Sequence, residues 1–231
     1  PRPLEVVFLD VGQGDAIFMK TPKGTTILLD GGGTPGWQNT DYRVGKDVVI
    51  PYLERRGIKE LDLLISSHPD TDHLQGLEEV LAELGAKTVV IPPRQLFGDG
   101  YLPLLAKAAG KRVPVRELVA GDTVMLDDVN VILEILTPPA GEPAFFTAPD
   151  NNHSLVVRVR YGRAAFLLTG DVELEALKGL LEQGQLGPAT IFKAPHHGSR
   201  TGYYEPYLDG LQPVGVVLSV GRNSYGHPAP E

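Results

Sequence analysis

The chain has 231 residues, 42% of them hydrophobic and 22% charged, with no cysteine and a formal net charge of −8. That length supports a sizeable core in one large domain or two fused halves. The missing cysteine excludes disulfides and thiolate metal sites, the acidic balance argues against a broad nucleic-acid-coating surface, and there is no 18-residue apolar run to span a membrane.

Strands and helices are predicted to alternate from end to end, with Gly or Pro at nearly every junction. The first series has strands Leu4–Val11, Ala16–Lys20 and Thr25–Leu29, with Gly12 and Gly14 allowing a tight hairpin between the first two. Helix Val48–Arg56, strand Leu61–Ser66, helix Leu74–Leu84, strand Thr88–Ile91 and helix Tyr101–Ala109 follow. The second series has strands Thr123–Leu126, Val129–Leu136, Ser154–Tyr161 and Ala164–Thr169. Helix Leu174–Gln183, strand Thr190–Lys193, helix Tyr204–Leu211 and strand Val214–Val220 complete it. Interleaved helices beside so many strands predict two sheets packed face to face with helices outside, a four-layer αββα sandwich. Residues 1–231 read as a single domain in two halves, about 1–137 and 150–231, joined by the Pro-rich stretch Thr137–Asn152. The ends, Pro1-Arg2-Pro3 and a close in the middle of a polar motif at Glu231, read as the limits of a domain cut from a longer chain.

Six polar clusters sit where apolar strands run out. Ser66-Ser67-His68-Pro69-Asp70-Thr71-Asp72-His73 carries four potential ligands within six residues. An extended segment would point His68, Asp70 and Asp72 the same way, with His73 added from a turn. Such a density of carboxylate and imidazole is costly without a positive charge among them, and one or two divalent cations are the simplest answer. The plainer alternative is a polar loop in which Asp72 caps a helix starting near Leu74. Leu168-Thr169-Gly170-Asp171 places a carboxylate at the carboxyl end of a strand, where sheet proteins commonly hold ligands. Lys193-Ala194-Pro195-His196-His197-Gly198-Ser199-Arg200 sets a histidine pair between two cations, and Asn223-Ser224-Tyr225-Gly226-His227-Pro228 repeats the strand-then-histidine pattern. Asp15, after Gly12-Gln13-Gly14, either reaches a cleft or closes its turn, and Asp30, before three glycines, suits a close-approach loop.

These segments resemble the metallo-β-lactamase superfamily, whose His-x-His-x-Asp-His signature is similar to His68-x-Asp70-x-Asp72-His73, and whose later bridging carboxylate matches Asp171. More narrowly, the ordered set LDVGQGDA, SHPDTDHLQGL, NNHSLVVRV, FLLTGD, KAPHHGS and NSYGHP is similar to the soluble C-terminal domain of the ComEC family, bacterial competence channels for DNA uptake. The resemblance implies a metal-dependent nuclease that degrades the strand not imported, with DNA, single-stranded by preference, as substrate. It also implies an extracytoplasmic domain beside the rest of a membrane channel in the full-length chain; a monomer is the default. Two departures stand out. Asp70 occupies the second histidine slot, and the third ligand of the first metal is open between Asn152 and His153, although His153 leads straight into a strand and reads as solvent-facing.

Two divalent ions can activate water and stabilise both oxygens of an in-line phosphoryl displacement. On this reading His68 and Asp70 serve the first ion. Asp72, His73 and His227, or one of His196 and His197, serve the second, and Asp171 bridges. The remaining histidine of the pair sits beside the scissile phosphate as a general acid or hydrogen-bond donor, and Asp72, His196 and His197 are the expected catalytic residues. Lys193, Ser199, Arg200, Asn152 and Asn223 are expected to hold the substrate, through its backbone and with little sequence preference. Oxygen-rich ligation moves the preferred metal from Zn²⁺ towards Mn²⁺ or Mg²⁺, Mn²⁺ first. The rival readings are a small-molecule metallo-hydrolase on the same fold and a non-catalytic DNA-binding module with a degenerate metal site.

Overall fold

The computed structural model describes residues 2–34, 41–127, 130–141, 150–185 and 187–230. The first sheet has the order β1(Glu5–Phe8), β2(Ile17–Lys20), β3(Thr26–Leu29), β4(Leu61–Ile65), β5(Ala86–Ile91) and β6(Val115–Glu117). Its first three strands are antiparallel and the rest run parallel. The second sheet has the order β12(Gly215–Val217), β11(Ile191–Lys193), β10(Ala164–Leu168), β9(Val156–Tyr161), β8(Val131–Thr137) and β7(Thr123–Leu126). Here β7 to β10 are antiparallel, and β10, β11 and β12 are parallel. The helices are α1(Ile50–Arg55), α2(Thr71–Glu83), α3(Leu102–Lys111), α4(Leu174–Glu182) and α5(Glu205–Leu211).

Strand alternation divides the apolar side chains into three layers of contact. Ile17, Met19, Ile27 and Leu29 meet Leu133, Ile135, Val157 and Val159 between the sheets. Phe18, Leu28 and Leu64 face outward onto Leu53, Leu77, Val80 and Leu104 of α1, α2 and α3. Val156, Leu167 and Phe192 face outward onto Leu177, Leu180, Tyr207 and Leu211 of α4 and α5. This is the expected four-layer sandwich. Among the described residues no helix is long and apolar enough to cross a membrane.

Three expectations need correction. The break between sheets falls between Glu117 and Thr123, so the Pro-rich stretch joins β8 to β9 inside the second sheet rather than one half to the other. Thr137 Oγ1 closes that connection by donating to the Ser154 carbonyl at 2.6 Å and accepting from Val156 N. Residues 142–149 of it lie outside the described residues. Second, β1 and β2 are joined by an eight-residue loop, 9–16, rather than a tight turn, and that loop packs onto α2. Third, β6 was not foreseen, because three residues at a sheet edge carry too little pattern to read.

Candidate metal centre

Strand β4 ends at Ile65, and α2 begins at Thr71, three residues earlier than periodicity suggested. Asp72 and His73 therefore lie in the first helical turn rather than on an extended run. What fixes them is backbone. A Cβ on Gly14 would lie 2.2 Å from the Asp72 carbonyl oxygen, so only glycine lets the 9–16 loop approach. Asp15 N then donates to that carbonyl at 3.3 Å, and Gly31 N donates to the His73 carbonyl at 2.8 Å. His68 comes from the β4–α2 loop, Asp171 from the end of β10, and His196 and His197 from the turn after β11. Both histidines of that turn have left-handed backbone, φ 48° and 55°, a costly conformation for non-glycine residues and one that clusters at functional sites.

These elements converge on one oxygen. Asp171 Oδ2 lies 3.2 Å from His197 Nε2, 3.3 Å from His73 Nε2, and 4.0 Å from both His68 Nε2 and His196 Nε2. His197 Nε2 is also 3.3 Å from Asp72 Oδ2, and His68 Nε2 is 3.7 Å from Asp70 Oδ2. Asp15 joins His73, Asp171 and His197 in a buried group whose donor atoms all lie within 4.8 Å of one another.

The far side of each inner imidazole is assigned by its partner. His73 Nδ1 sits 2.9 Å from Asp30 Oδ2, and His197 Nδ1 sits 2.7 Å from the Ser219 carbonyl, which can only accept. Ser67 N and Oγ both donate to Asp30, at 2.7 and 2.6 Å. The Ser67 hydroxyl proton is thereby committed, so His68 Nδ1, 3.0 Å from Ser67 Oγ, is the donor there. All three rings place Nδ1–H outward, and their Nε2 lone pairs, when neutral, point into the cluster. That is the arrangement that outer hydrogen bonds impose on metal-ligating histidines.

A divalent cation fits this donor set. His68 Nε2 and Asp171 Oδ1 are buried without a hydrogen-bond partner. Protons otherwise supply the positive charge. Burial disfavours the imidazolium of His197, but Asp171 and Asp72 outweigh it and hold its pKa up at about 9. His73 is raised well above its ordinary value against the same burial penalty, by Asp171 and Asp30. Burial would raise Asp72, yet His197 and His73 bring it down to about 2, and Asp171 is lowered in the same way.

The expected residues divide into those at the cluster and those elsewhere. His68, Asp70, Asp72, His73, Asp171, His196 and His197 come together as described. His227 reaches the same cavity, its ring centroid 5.1 Å from that of His196, with Nδ1 buried and without a hydrogen-bond partner. Burial and the neighbouring His196 and His197 lower its pKa. The cavity has a volume of about 640 Å³ and opens between the 9–16 loop, the start of α2 and the loop after β12.

The five residues expected to hold substrate do not line this cavity. Lys193 is fully buried, in ion contact with Asp15, 3.6 Å from Asp171 Oδ1 and donating to the Gly170 carbonyl, because its strand position faces inward. Asn152 Oδ1 accepts from Glu173 N and Ala176 N, so it caps the start of α4, and its amide donates to Glu175. Ser199 Oγ accepts from Thr201 N and closes the turn after the histidine pair. Asn223 folds its own loop, accepting from Tyr225 N and His227 N. Arg200 is exposed on the turn after His197 and does not line the cavity. His153 is buried rather than solvent-facing, edge-on to Phe97 at 5.9 Å, and does not line the cavity.

Three further residues support the cluster. Asp30 positions both Ser67 and His73. Its signal, an apolar run ending in Asp30-Gly31, is close to the one that marked Asp171, an apolar run ending in Gly170-Asp171. Asp15 stands at the heart of the group, and Glu173 Oε1 sits 3.2 Å from His196 Nδ1.

Comparison with known proteins agrees with this geometry. Residues 9–220 match the Metallo-beta-lactamase superfamily. ComE operon protein 3 of Bacillus subtilis (strain 168) is 33% identical over 97% of this chain, and Competence protein ComA of Neisseria gonorrhoeae is 26% identical over 96%. The chain spans only 29% and 28% of the length of these two relatives. Among solved structures, Igni18, a metallo hydrolase from the archaeon Ignicoccus hospitalis KIN4/I, superposes with a TM-score of 0.54 at 19% identity, over 93% of this chain and 83% of its own, a likeness of fold. The chain, with its histidines and aspartates gathered at one rim of two stacked sheets, belongs to the metallo-beta-lactamase superfamily.

Proposed function

We propose that this chain is a metal-dependent phosphodiesterase that cuts DNA, the nuclease part of a competence protein of the ComEC kind, acting on the strand that is not imported. The observation that carries the reading is the convergence of four histidine Nε2 atoms and two further aspartates around Asp171 at the floor of an open, polar cavity. The similarity to a competence protein supports DNA as the substrate class, and the motif resemblance to the ComEC family supports a place on the outer side of a membrane channel.

In this reading His68 and Asp70 would hold one divalent ion and Asp72, His73 and His197 the other, with Asp171 within 4.0 Å of histidines of both sets. His197 is preferred to His227 as ligand because its Nε2 already meets Asp72, His73 and Asp171 within 3.3 Å. Ions bound there supply Lewis acidity towards a phosphodiester. His196 is held by Glu173 and partly exposed to the cavity, so it is placed to hydrogen-bond a phosphate oxygen or to pass a proton to a leaving group. His227 packs edge-on against it. Asp70 in place of an imidazole, with Asp72 and Asp171, makes the site oxygen-rich, which favours Mn²⁺ over Zn²⁺.

The test is to strip the protein of metal, restore Mn²⁺, Mg²⁺ or Zn²⁺ in turn, and assay a DNA oligonucleotide, a thioester and a lactam. Mn²⁺-dependent DNA cleavage that Asp72→Ala and Asp171→Ala each reduce by about 10²- to 10³-fold, the range by which loss of one electrostatic catalytic group acts, is the expected result. Cleavage of the thioester or lactam alone would establish the small-molecule reading. DNA binding without cleavage under all three metals would establish the binding-module reading.

A further inference from the structure

The cavity has one large aromatic at its mouth. Tyr225 is 63% exposed, yet it lines the same cavity as Asp171, His196 and His227. Its ring centroid lies 5.8 Å from that of His227 at 35°, and His227 in turn stands edge-on to His196 at 5.1 Å. A ladder of three rings thus runs from solvent down to the cluster.

The backbone beneath this tyrosine is tightly specified. Asn223 Oδ1 accepts from Tyr225 N at 3.0 Å and from His227 N at 3.1 Å, while its amide donates to the carbonyls of Gly221 and His227 at 2.9 Å. The loop is also tied to the 9–16 loop, through Ser219 Oγ to the Gly14 carbonyl at 2.9 Å and Gly221 N to Gln13 Oε1 at 3.3 Å. An aromatic ring held on so ordered a loop gives a flat apolar face at little cost in conformational entropy. Gln13 also lines a second cavity of about 310 Å³ beside Arg222, Asp10 and Tyr42, so the groove continues past the cluster on the far side of the same loop.

We propose that Tyr225 is a nucleobase subsite: its exposed ring stacks on the base flanking the phosphodiester under attack, so the site takes a strand whose base faces are unpaired and unstacked. The proposal rests on the phosphodiesterase reading and adds to it the residue that would select the form of DNA the cavity accepts. A base in a duplex has its faces covered by its neighbours, whereas a single strand or frayed end can lay one on the ring. Stacking of this kind is tolerant of sequence, in keeping with a strand held through its backbone.

The experiment uses the Mn²⁺-loaded protein, three substrates (a single-stranded oligonucleotide, the same strand with abasic sites throughout, and a blunt duplex) and the variants Tyr225→Ala, Tyr225→Phe and Tyr225→Trp. The native protein is expected to show a KM for the base-bearing strand about 5- to 150-fold below that for the abasic strand, the range that one base–aromatic stack supplies. Tyr225→Ala brings that ratio close to one, with the loss in KM rather than kcat, and Tyr225→Phe and Tyr225→Trp restore it. An uncleavable phosphorothioate strand carrying 2-aminopurine gives a second readout: its fluorescence is quenched by the native protein and not by Tyr225→Ala. Cleavage of base-bearing and abasic strands with the same KM, or a Tyr225→Ala ratio equal to the native one, overturns the subsite and leaves the phosphodiesterase standing. A protein that loads Mn²⁺ and cuts no oligonucleotide overturns both.

Discussion

Lys193 ends β11 with its ammonium wholly out of water, between Asp15 and Asp171. Burial alone would lower its pKa, but the two carboxylates outweigh that and raise it, so the side chain is a fixed positive charge. It offsets acidic charge that a metal alone would otherwise have to balance. A buried pair costs desolvation to form, and removing one partner is far more damaging than removing both. Lys193→Met is therefore expected to lower unfolding stability by about 3–5 kcal/mol in denaturant titration, and Lys193→Met combined with Asp15→Leu to recover most of it. A loss below about 1 kcal/mol in the single variant would show that Asp15 finds another partner or a proton. The residue also shows why sequence misleads at this scale. A lysine three places before a histidine pair suggests a phosphate grip. Whether a strand residue faces the groove or the space between sheets depends on register, and the sequence around Lys193 does not reveal its register. Asp72, His73 and Asp171 were legible because a carboxylate or imidazole at the end of an apolar run has few inexpensive alternatives to the rim of a sheet.

Helix α2 carries Asp72 and His73, and its position is set by close backbone contact rather than by its apolar face alone. Gly76 N donates to the Gly32 carbonyl at 2.8 Å, and a Cβ at Gly76 would lie 1.9 Å from the Gly31 carbonyl oxygen. Helix propensity favours alanine over glycine by about 1 kcal/mol, but here sterics decide. Gly76→Ala should push the first turn of α2 off the 31–33 loop, lower the melting temperature and weaken Mn²⁺ binding at least tenfold in calorimetric titration, as loss of second-sphere support does. Gly179→Ala is the matched control, since a Cβ at Gly179 in α4 meets nothing within 4 Å. It should gain up to about 1 kcal/mol and leave metal binding unchanged. Equal effects of the two substitutions would refute this account of α2. The elements themselves were largely readable, all five helices and eleven of the strands, from short β-rich apolar runs and helical periodicity. The start of α2 was not, since Pro69-Asp70-Thr71 reads equally well as loop or as helix entry. Nor was the course of loop 9–16, whose shape is set by α2, 57 residues later, rather than by its own glycines.

At the scale of the whole molecule, folding and metal loading draw on the same imidazoles, so pH sets them against each other. His197 has a folded pKa of about 9 against 6.5 when free. Its charge therefore stabilises the metal-free fold fully below pH 6.5, and that contribution is lost as pH rises through about 9. His73 acts in the same direction. Asp72, lowered from 3.8 to about 2, contributes above pH 3.8 and loses that contribution as pH falls through about 2. The metal-free protein should thus be most stable between about pH 4 and 6.5 and lose melting temperature from pH 6.5 to 9. Divalent ions need these nitrogens unprotonated, so loading releases protons and tightens as pH rises. The stabilisation by saturating Mn²⁺ should accordingly grow across the same interval, where the metal-free curve falls. General repulsion within a chain of net charge −8 also lowers stability at high pH, and Asp171→Asn separates the two effects. It removes the main carboxylate that raises both His73 and His197, so its metal-free melting temperature should fall less steeply between pH 6.5 and 9 than that of the native protein. Scanning calorimetry of both proteins, with and without Mn²⁺, reads all four curves. A native metal-free melting temperature that stays level to pH 9, or a Mn²⁺ shift no larger at pH 9 than at pH 6.5, would mean that protons do not occupy the cluster in place of the cation.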